Sequence, residues 1–239
     1  MLASILSTNE EKTWEKTEGE KAVANVTASW CSHAGTETAN RKSQIIFVRG
    51  SVVTQQADAI VNAANQTLLG GGGIDGAIHM AAGSELLREC KALNGCETGQ
   101  AKITKAYNIR NAFYIIHTVG PVYRGVAEDA YLLAACYRNS LDLALAYRCR
   151  SIAFPCISTG AYGYPIEKAA KVSLLAAAQW LDAHPDAVMK IYFCCFNDSI
   201  DTTMQNAVSL EARKVHGRIK DRRNRDAYKR TYLSVRDCF

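Results

Sequence analysis

The sequence lacks any apolar run long enough to cross a membrane. Its 239 residues are 48% hydrophobic, but no stretch reaches the roughly 18 consecutive apolar residues that a spanning helix needs. The apolar stretch in the N-terminal segment is too short for a signal peptide. The segment also carries acidic residues, which argue against a mitochondrial presequence. We therefore expect no membrane contact and a cytoplasmic location by default, with the nucleus and the mitochondrion left open.

The cysteines lack the spacing of a metal site. There are nine of them, but no two form a CxxC pair and no His/Cys grouping has zinc-ligand spacing. Cys149, Cys156, Cys194 and Cys195 lie in apolar runs, where a thiol packs as a small hydrophobe. We therefore expect no disulfide framework, no metal and no other cofactor.

The excess of positive over negative charge is concentrated at the end of the chain. The net charge is +5, yet residues 211–239 hold ten Lys and Arg against four Asp and Glu. Such a segment could contact nucleic acid, an acidic partner or a localisation receptor, or it could be a solvated helical face or a frayed end. We divide the chain into a helical or loose extension over 1–40, one domain over 41–210 and a basic tail or helix over 211–239.

Short apolar runs alternate with helical patterns between the two ends. The runs are bounded by polar residues or glycine, as in strands buried on both faces. They predict strands over 44–49, 58–62, 101–107, 113–119, 151–155 and 190–196. Helical patterns lie over 73–83, 84–93, 128–147, 166–182 and 200 to about 213. This alternation predicts an α/β fold with helices on both faces of a mostly parallel sheet, which the hairpin at 101–119 makes mixed.

Four consecutive glycines, 70–73, follow the second predicted strand. Glycine costs conformational entropy, so the run predicts unusual backbone angles or a close approach to a ligand. Its amides and the start of the helix predicted at 73–83 would point at the same anion. Gly71, Gly73 and Gly76 also match G-x-G-x-x-G, but residues 63–69 separate them from the strand, so the dinucleotide-binding signal is weak. No Gly-Lys-Ser/Thr follows, which excludes a Walker loop.

A second glycine-bearing loop, residues 158–165, lies directly between a predicted strand and a predicted helix. In an open parallel sheet such loops lie at the carboxyl ends of the strands, where ligands bind. We expect the two loops to hold a diphosphate, with Ser158 and Thr159 as donors and Tyr162 covering the ligand. An ordinary turn between strand and helix is the alternative.

Polar side chains flank the first loop. Asn65 lies ten residues before Asp75, so the two can share a pocket, where the amide would bind sugar hydroxyls. Asp75 either caps its helix or orients a water or a ribose. We expect Asn62 to bond to the local backbone, His79 to be a satisfied packing histidine or a support behind the site, and His117 to be structural.

Five segments together closely resemble the macrodomain family, in its MacroD-like branch of ADP-ribosylhydrolases: NAAN, GGGGIDGAIHMAAG, NGCETGQAKIT, IIHTVGP and ISTGAYGYP. The resemblance implies a three-layer α/β/α sandwich that binds ADP-ribose over its strand ends. It implies metal-independent hydrolysis of the ester between mono-ADP-ribose and acidic side chains, and deacetylation of O-acetyl-ADP-ribose. A non-catalytic reader of ADP-ribosylated proteins is the alternative, and the basic tail could add weak contacts to nucleic acid or poly(ADP-ribose). We expect a monomer.

The resemblance also implies roles for individual residues. Asn65 and Asp75 match the distal-ribose and catalytic positions, Tyr162 the aromatic that closes over that ribose, and Phe196 the one that stacks on adenine. Ser51 stands where the family usually has an aspartate, and a neutral hydrogen bond is weaker than a charge-assisted one, so weaker adenine selectivity is expected. The predicted ligand contacts are Gly50, Ser51, Val52, Ala63, Ala64, Asn65, Gly70, Gly71, Gly72, Gly73, Ile74, Asp75, Ser158, Thr159, Gly160, Ala161, Tyr162, Gly163, Tyr164 and Phe196.

Overall fold

The computed structural model describes residues 26–29 and 43–196, together with 202, 203 and 206. Its elements, in chain order, are β1 Val26–Ser29, β2 Gln44–Arg49, β3 Ala59–Ala64, α1 Gly73–Ala82, α2 Ser84–Ala92, β4 Ala101–Lys105, β5 Tyr114–Val119, α3 Ala127–Ala146, β6 Ser151–Phe154, α4 Ile166–Ala183 and β7 Lys190–Cys195. The helix predicted at 200–213 lies largely outside the described residues, and the basic tail at 211–239 lies entirely outside them.

Seven strands form one mixed sheet in the order β1-β2-β7-β6-β3-β5-β4. The five central strands, β2, β7, β6, β3 and β5, run parallel to one another. The two outer strands, β1 and β4, are antiparallel to their neighbours. The predicted mixed, mostly parallel sheet is therefore confirmed. We call the side where the five parallel strands end, at residues 49, 64, 119, 154 and 195, the carboxyl edge. The side where they begin is the amino edge.

Helices cover both faces of the sheet. Ile60 packs into a core with Ile78 of α1, while its neighbour Val61 packs into a second core with Leu133 of α3. Successive side chains of a strand point to opposite faces, so α1 with α2 and α3 with α4 form separate outer layers. The three-layer α/β/α sandwich is thus confirmed. Among the described residues, no helix has both the length and the hydropathy required to cross a membrane.

The N-terminal extension differs from its prediction over four residues. The sequence predicts a helical or loose segment over 1–40, but Val26–Ser29 forms a strand paired antiparallel with β2. The prediction is wrong here because the margin of β2 presents a row of backbone donors and acceptors that another strand can satisfy. The β-branched residues Val26 and Thr27 also favour a strand.

The described cysteines are free thiols. Cys149, Cys194 and Cys195 are buried and Cys156 is half-buried, which confirms the prediction that these four pack as small hydrophobes. Burial raises the pKa of Cys156 to about 12 and is also the main reason why the pKa of Cys194 is raised to about 12. Both thiols are therefore protonated at neutral pH.

Phe193 lies at the centre of an aromatic core, so its truncation is expected to destabilise the fold. It is 1% exposed, and its ring centroid lies 5.6 Å from Phe47 and 5.9 Å from Phe154. Phe193→Ala should lower the free energy of unfolding by about 3–5 kcal/mol, measured by urea denaturation. Phe113→Ala, at a ring that is 70% exposed, is the control and should change it by less than about 0.5 kcal/mol. Equal losses would contradict this packing.

Candidate functional site

The first glycine loop connects β3 to α1 at the carboxyl edge. Gly70 has φ +87° and Gly73 has φ +60°, in the left-handed region that side chains disfavour. A Cβ on Gly76 would lie 2.5 Å from the carbonyl oxygen of Gly71, so the loop packs closely on the first turn of α1. The predicted unusual backbone angles are thus confirmed at Gly70 and Gly73, and the close approach to a ligand stays a prediction. Within the described part of the chain, no side chain caps the first turn of α1, whose amides point out of this end of the helix.

Asp75 lies under this loop, with its carboxylate held by two asparagines. The residue is 4% exposed. Its Oδ1 accepts a hydrogen bond of 2.7 Å from Nδ2 of Asn62, and its Oδ2 accepts one of 3.4 Å from Nδ2 of Asn65. Both oxygens of the carboxylate therefore face side-chain amide donors. The predicted meeting of Asn65 and Asp75 is confirmed.

The prediction for Asn62 is wrong. Its side chain bonds to Asp75 and His117 rather than to the local backbone. The reason is that β3 continues to Ala64, so Asn62 is inside the strand and its backbone pairs with β5. The fully buried side chain is free to bond to groups that other elements bring to this face.

Asn65 also determines the shape of the loop. Its Nδ2 donates to the carbonyl oxygen of Gly70 at 2.9 Å. Its Oδ1 accepts from the amide of Thr67 at 3.0 Å and from the Thr67 hydroxyl at 2.6 Å. Because one side chain joins both halves of the loop, the glycines are held against Asp75.

His117 contacts the Asn62 side chain inside the core. Its Nδ1 lies 3.1 Å from Nδ2 of Asn62, and its Nε2 lies 3.0 Å from the Thr104 hydroxyl. An amide nitrogen can only donate, so Nδ1 is the acceptor and the proton is assigned to Nε2. Burial, with a smaller contribution from His79, lowers the pKa of His117 to about 3. The ring is therefore neutral at physiological pH, and its predicted structural role is confirmed.

His79 lies one helical turn after Asp75, with Nε2 at 3.6 Å from the Asp75 Oδ1. That nitrogen is buried and has no hydrogen-bond partner among the described residues. The prediction of a satisfied packing histidine is therefore wrong, because the nearest carboxylate oxygen is directed at Asn62. The position behind Asp75 fits the other predicted role, that of a support for the site.

One side-chain cluster has the donor types of a metal site. His79, Cys90 and His117 place ligand atoms within 4.8 Å of one another. Sequence spacing could not reveal them, because they come from α1, α2 and β5. Burial, with smaller effects from Glu89 and Asp75, raises the pKa of Cys90 to about 11, and a protonated thiol is a poor ligand. The cluster could hold a soft metal ion only if that proton were lost.

The second loop follows β6 at the same edge. Ser158 is buried and has φ +65°, an uncommon conformation for a residue with a side chain. Its hydroxyl has no hydrogen-bond partner among the described residues. A Cβ on Gly120 would overlap the Ser158 hydroxyl, so the segments that follow β5 and β6 pack directly on each other. Strained conformations of this kind are concentrated in functional sites.

A segment that sequence reasoning missed holds this loop in place. The amide of Tyr123 donates to the carbonyl oxygen of Tyr162 at 2.9 Å. Asp129, fully buried, accepts from the amides of Arg124 at 2.7 Å and Val126 at 3.1 Å. Burial opposes ionisation of Asp129, but these amides and the Arg124 side chain outweigh it and lower its pKa. In the sequence, the acidic residues in the first turn of the helix predicted at 128–147 were the feature that could have indicated this role of Asp129.

The predicted adenine-binding residues meet at the neighbouring ends of β2 and β7. The amide of Gly50 donates to the carbonyl oxygen of Cys195 at 3.0 Å, which places Ser51 beside the start of Phe196. The Phe196 side chain is 78% exposed and is available for stacking. The Ser51 hydroxyl already accepts from the amide of Val53 at 3.2 Å.

The remaining predicted ligand contacts fall into two groups that differ in burial. The first group is exposed or half-buried at the carboxyl edge and comprises Ala63, Gly70, Gly71, Gly72, Gly73, Ile74, Thr159, Gly160, Ala161, Tyr162 and Gly163. The side chains of Val52, Ala64 and Tyr164 are in the core, because each packs beneath its loop. Each of the three residues is at most 3% exposed, main chain included.

The chain is similar in sequence to known proteins. The family model described as Macro domain matches residues 61–173. A Macro domain-containing protein of Chlorobaculum tepidum is 52% identical over 163 residues, which cover 68% of this chain and 94% of that protein. ADP-ribose glycohydrolase MACROD1 of Mus musculus is 54% identical over 155 residues, covering 64% of this chain and 48% of that protein. The match thus spans about half the length of the mouse protein.

Solved structures agree with these sequence matches. A macrodomain of Oceanobacillus iheyensis, described as solved with ADP, superposes with a TM-score of 0.71 at 35% identity, covering 81% of this chain and all of that one. A macrodomain of Trypanosoma brucei in complex with ADP-ribose has a TM-score of 0.63 at 46% identity, covering 69% of this chain and 68% of that one.

The neutral state of His117 predicts a specific loss of stability in acid. Its pKa is lowered to about 3 in the folded protein from a usual 6.5, so between these values only the unfolded chain binds the proton. Stability should therefore be lost as pH falls below about 6.5, with up to about 1.4 kcal/mol per pH unit from this residue.

The test is to measure the free energy of unfolding by urea denaturation between pH 7 and pH 4. For His117→Gln, the free energy of unfolding should depend less steeply on pH than for the original chain. The difference in slope should be up to about 1.4 kcal/mol per pH unit, which corresponds to one proton. Identical slopes for the two proteins would mean that His117 does not carry this linkage.

Proposed function

The chain belongs to the Macro domain family, and from that membership we propose that it is an ADP-ribose-binding hydrolase that removes mono-ADP-ribose from acidic side chains. The main structural support for this function is the buried Asp75 carboxylate, which Asn62 and Asn65 hold directly beneath the glycine loop. A related protein is named ADP-ribose glycohydrolase, and a related structure is a complex with ADP-ribose. Both support the assignment.

The two loops of the carboxyl edge are suited to the diphosphate. The amides of residues 70–73 and the first turn of α1 supply backbone donors and a positive dipole end, which together bind phosphate. The loop at 158–164 adds exposed main chain and the Thr159 side chain. Phe196 would stack on the adenine and Tyr162 would cover the distal ribose.

The proposed reaction is hydrolysis of an acyl ester. Water adds to the acyl carbon, the carbonyl oxygen becomes an oxyanion, and the bond to the ribose oxygen breaks to release a carboxylate and ADP-ribose. Asp75, held rigidly by Asn62, orients the distal ribose or the attacking water. The substrate diphosphate above the glycine loop can accept one proton of that water and pass it to the departing ribose oxygen, while the second proton leaves the product acid to solvent. Asn65 holds the ribose.

The same chemistry extends the proposal to a second substrate. O-acetyl-ADP-ribose carries an acyl ester on the same ribose, so a site that positions water against one ester can hydrolyse the other. The reaction is proposed to be metal-independent because a positioned water and backbone donors suffice for an acyl ester. We further propose a cytoplasmic monomer whose partners are ADP-ribosylated proteins.

Replacement of Asp75 tests the function. Asp75→Ala and the isosteric Asp75→Asn should slow release of ADP-ribose from a glutamate-linked mono-ADP-ribosylated protein by at least about a hundredfold. Binding of ADP-ribose, measured by calorimetry, should change only a few-fold. Unchanged release would remove Asp75 from the mechanism. Saturable binding without release by the original chain would instead identify a reader, the alternative function.

The glycine loop offers a matched pair of variants. A Cβ on Gly71 would lie 3.1 Å from both the Asn65 Nδ2 and the Asp75 Oδ2, whereas a Cβ on Gly72 would have nothing within 4 Å. Gly71→Ala should displace these groups and lower the rate constant for ester hydrolysis about tenfold. Gly72→Ala should leave Asn65 and Asp75 in place, so any loss should appear in the affinity for ADP-ribose rather than in the rate constant. Equal losses of the rate constant in the two variants would refute the steric argument.

A further inference from the structure

An open groove lies at the amino edge, on the side of the sheet opposite the proposed ADP-ribose site. It has a volume of about 550 Å³ and forms where β4 ends and where β3, β5 and β6 begin. Three basic residues, Lys105, Arg148 and Arg150, line it together with the aromatic residues Phe113 and Tyr147. None of these five residues contributes to the reaction proposed above.

The basic side chains of the groove are available to an anion. Lys105, Arg148 and Arg150 are exposed, and none forms an ion pair within the described part of the chain. Two acids lie nearby and both are engaged. Asp58 accepts from the amides of Arg150 at 2.6 Å and Ser151 at 3.0 Å. Glu89 accepts from the amide of Lys105 and the hydroxyl of Tyr107.

The aromatic side chains of the groove present surface to solvent. Phe113 is 70% exposed and Tyr147 is 47% exposed, although large apolar groups are favoured inside a protein. Tyr114 packs edge-on against Tyr147 with ring centroids 5.2 Å apart and an interplanar angle of 69°, which fixes that ring. Exposed rings beside unpaired cations are the combination that binds unpaired bases and their phosphates.

We propose that this amino-edge groove binds single-stranded nucleic acid, with bases stacked on Phe113 and Tyr147 and phosphates beside Lys105, Arg148 and Arg150. Aspartate and glutamate side chains would use the cations but would leave the two rings without stacking partners. A duplex hides the faces of its bases. The site is separate from the carboxyl edge, so it would allow simultaneous contact with a nucleic acid and with an ADP-ribosylated partner.

The test uses the full chain and a fluorescently labelled 12-nucleotide oligouridine, with affinity followed by anisotropy from low to high salt. Arg148→Ala combined with Arg150→Ala should reduce the slope of log affinity against log salt by about 1.4, since each phosphate contact on a single strand contributes about 0.7. Phe113→Ala should lower the affinity about tenfold and leave the slope unchanged, because stacking releases no counterions.

The matched control removes two cations from another surface. Arg88→Ala combined with Lys91→Ala, on exposed positions of α2, should keep both affinity and slope. The basic tail is present in every variant, so its contribution cancels, and ester hydrolysis should be unchanged in all of them. Retention of the original slope and affinity in the groove variants would overturn the proposal. So would equal competition by polyglutamate with no effect of Phe113→Ala, which would indicate an acidic polypeptide instead.

Discussion

The rest of the site depends on the two hydrogen atoms of one buried side-chain amide. Asn62 donates to Asp75 at 2.7 Å and lies 3.1 Å from Nδ1 of His117. This arrangement requires a neutral imidazole, because a protonated Nδ1 would set donor against donor. Burial supplies that condition by lowering the pKa of His117. The hydrophobic core between α1, α2 and the sheet therefore fixes the orientation of the Asp75 carboxylate beneath the glycine loop.

The sheet explains why loops distant in sequence form one site. Five parallel strands end at the carboxyl edge, so the segments after β2, β3, β5, β6 and β7 all emerge there. β2 and β7 bring Ser51 close to Phe196, and β5 and β6 bring Gly120 against Ser158. The amino edge receives the other ends of the same strands, where basic and aromatic side chains form a chemically different surface. One topology thus separates two candidate binding functions.

Much of this architecture could be predicted from local sequence. The strand over 44–49 agrees with β2 residue for residue, because polar residues and Gly50 bound the apolar run. The glycines at 70–73 indicated a loop with unusual backbone angles. Prediction failed where the decisive contact is long-range. Thr104, His117 and Cys90 come together only through the pairing of β4 with β5 and the packing of α2. A two-residue error in the end of β3 was enough to misassign Asn62.

The central claim is that the amide of Asn62 holds Asp75 in the orientation that ester hydrolysis requires. The most direct measurement is the single-turnover rate of ADP-ribose release from a glutamate-linked substrate by Asn62→Leu, which keeps the side-chain volume and removes both donors. We expect a loss of at least about a hundredfold, with ADP-ribose affinity changed only a few-fold. A rate within about twofold of the original chain, measured on folded protein, would contradict it.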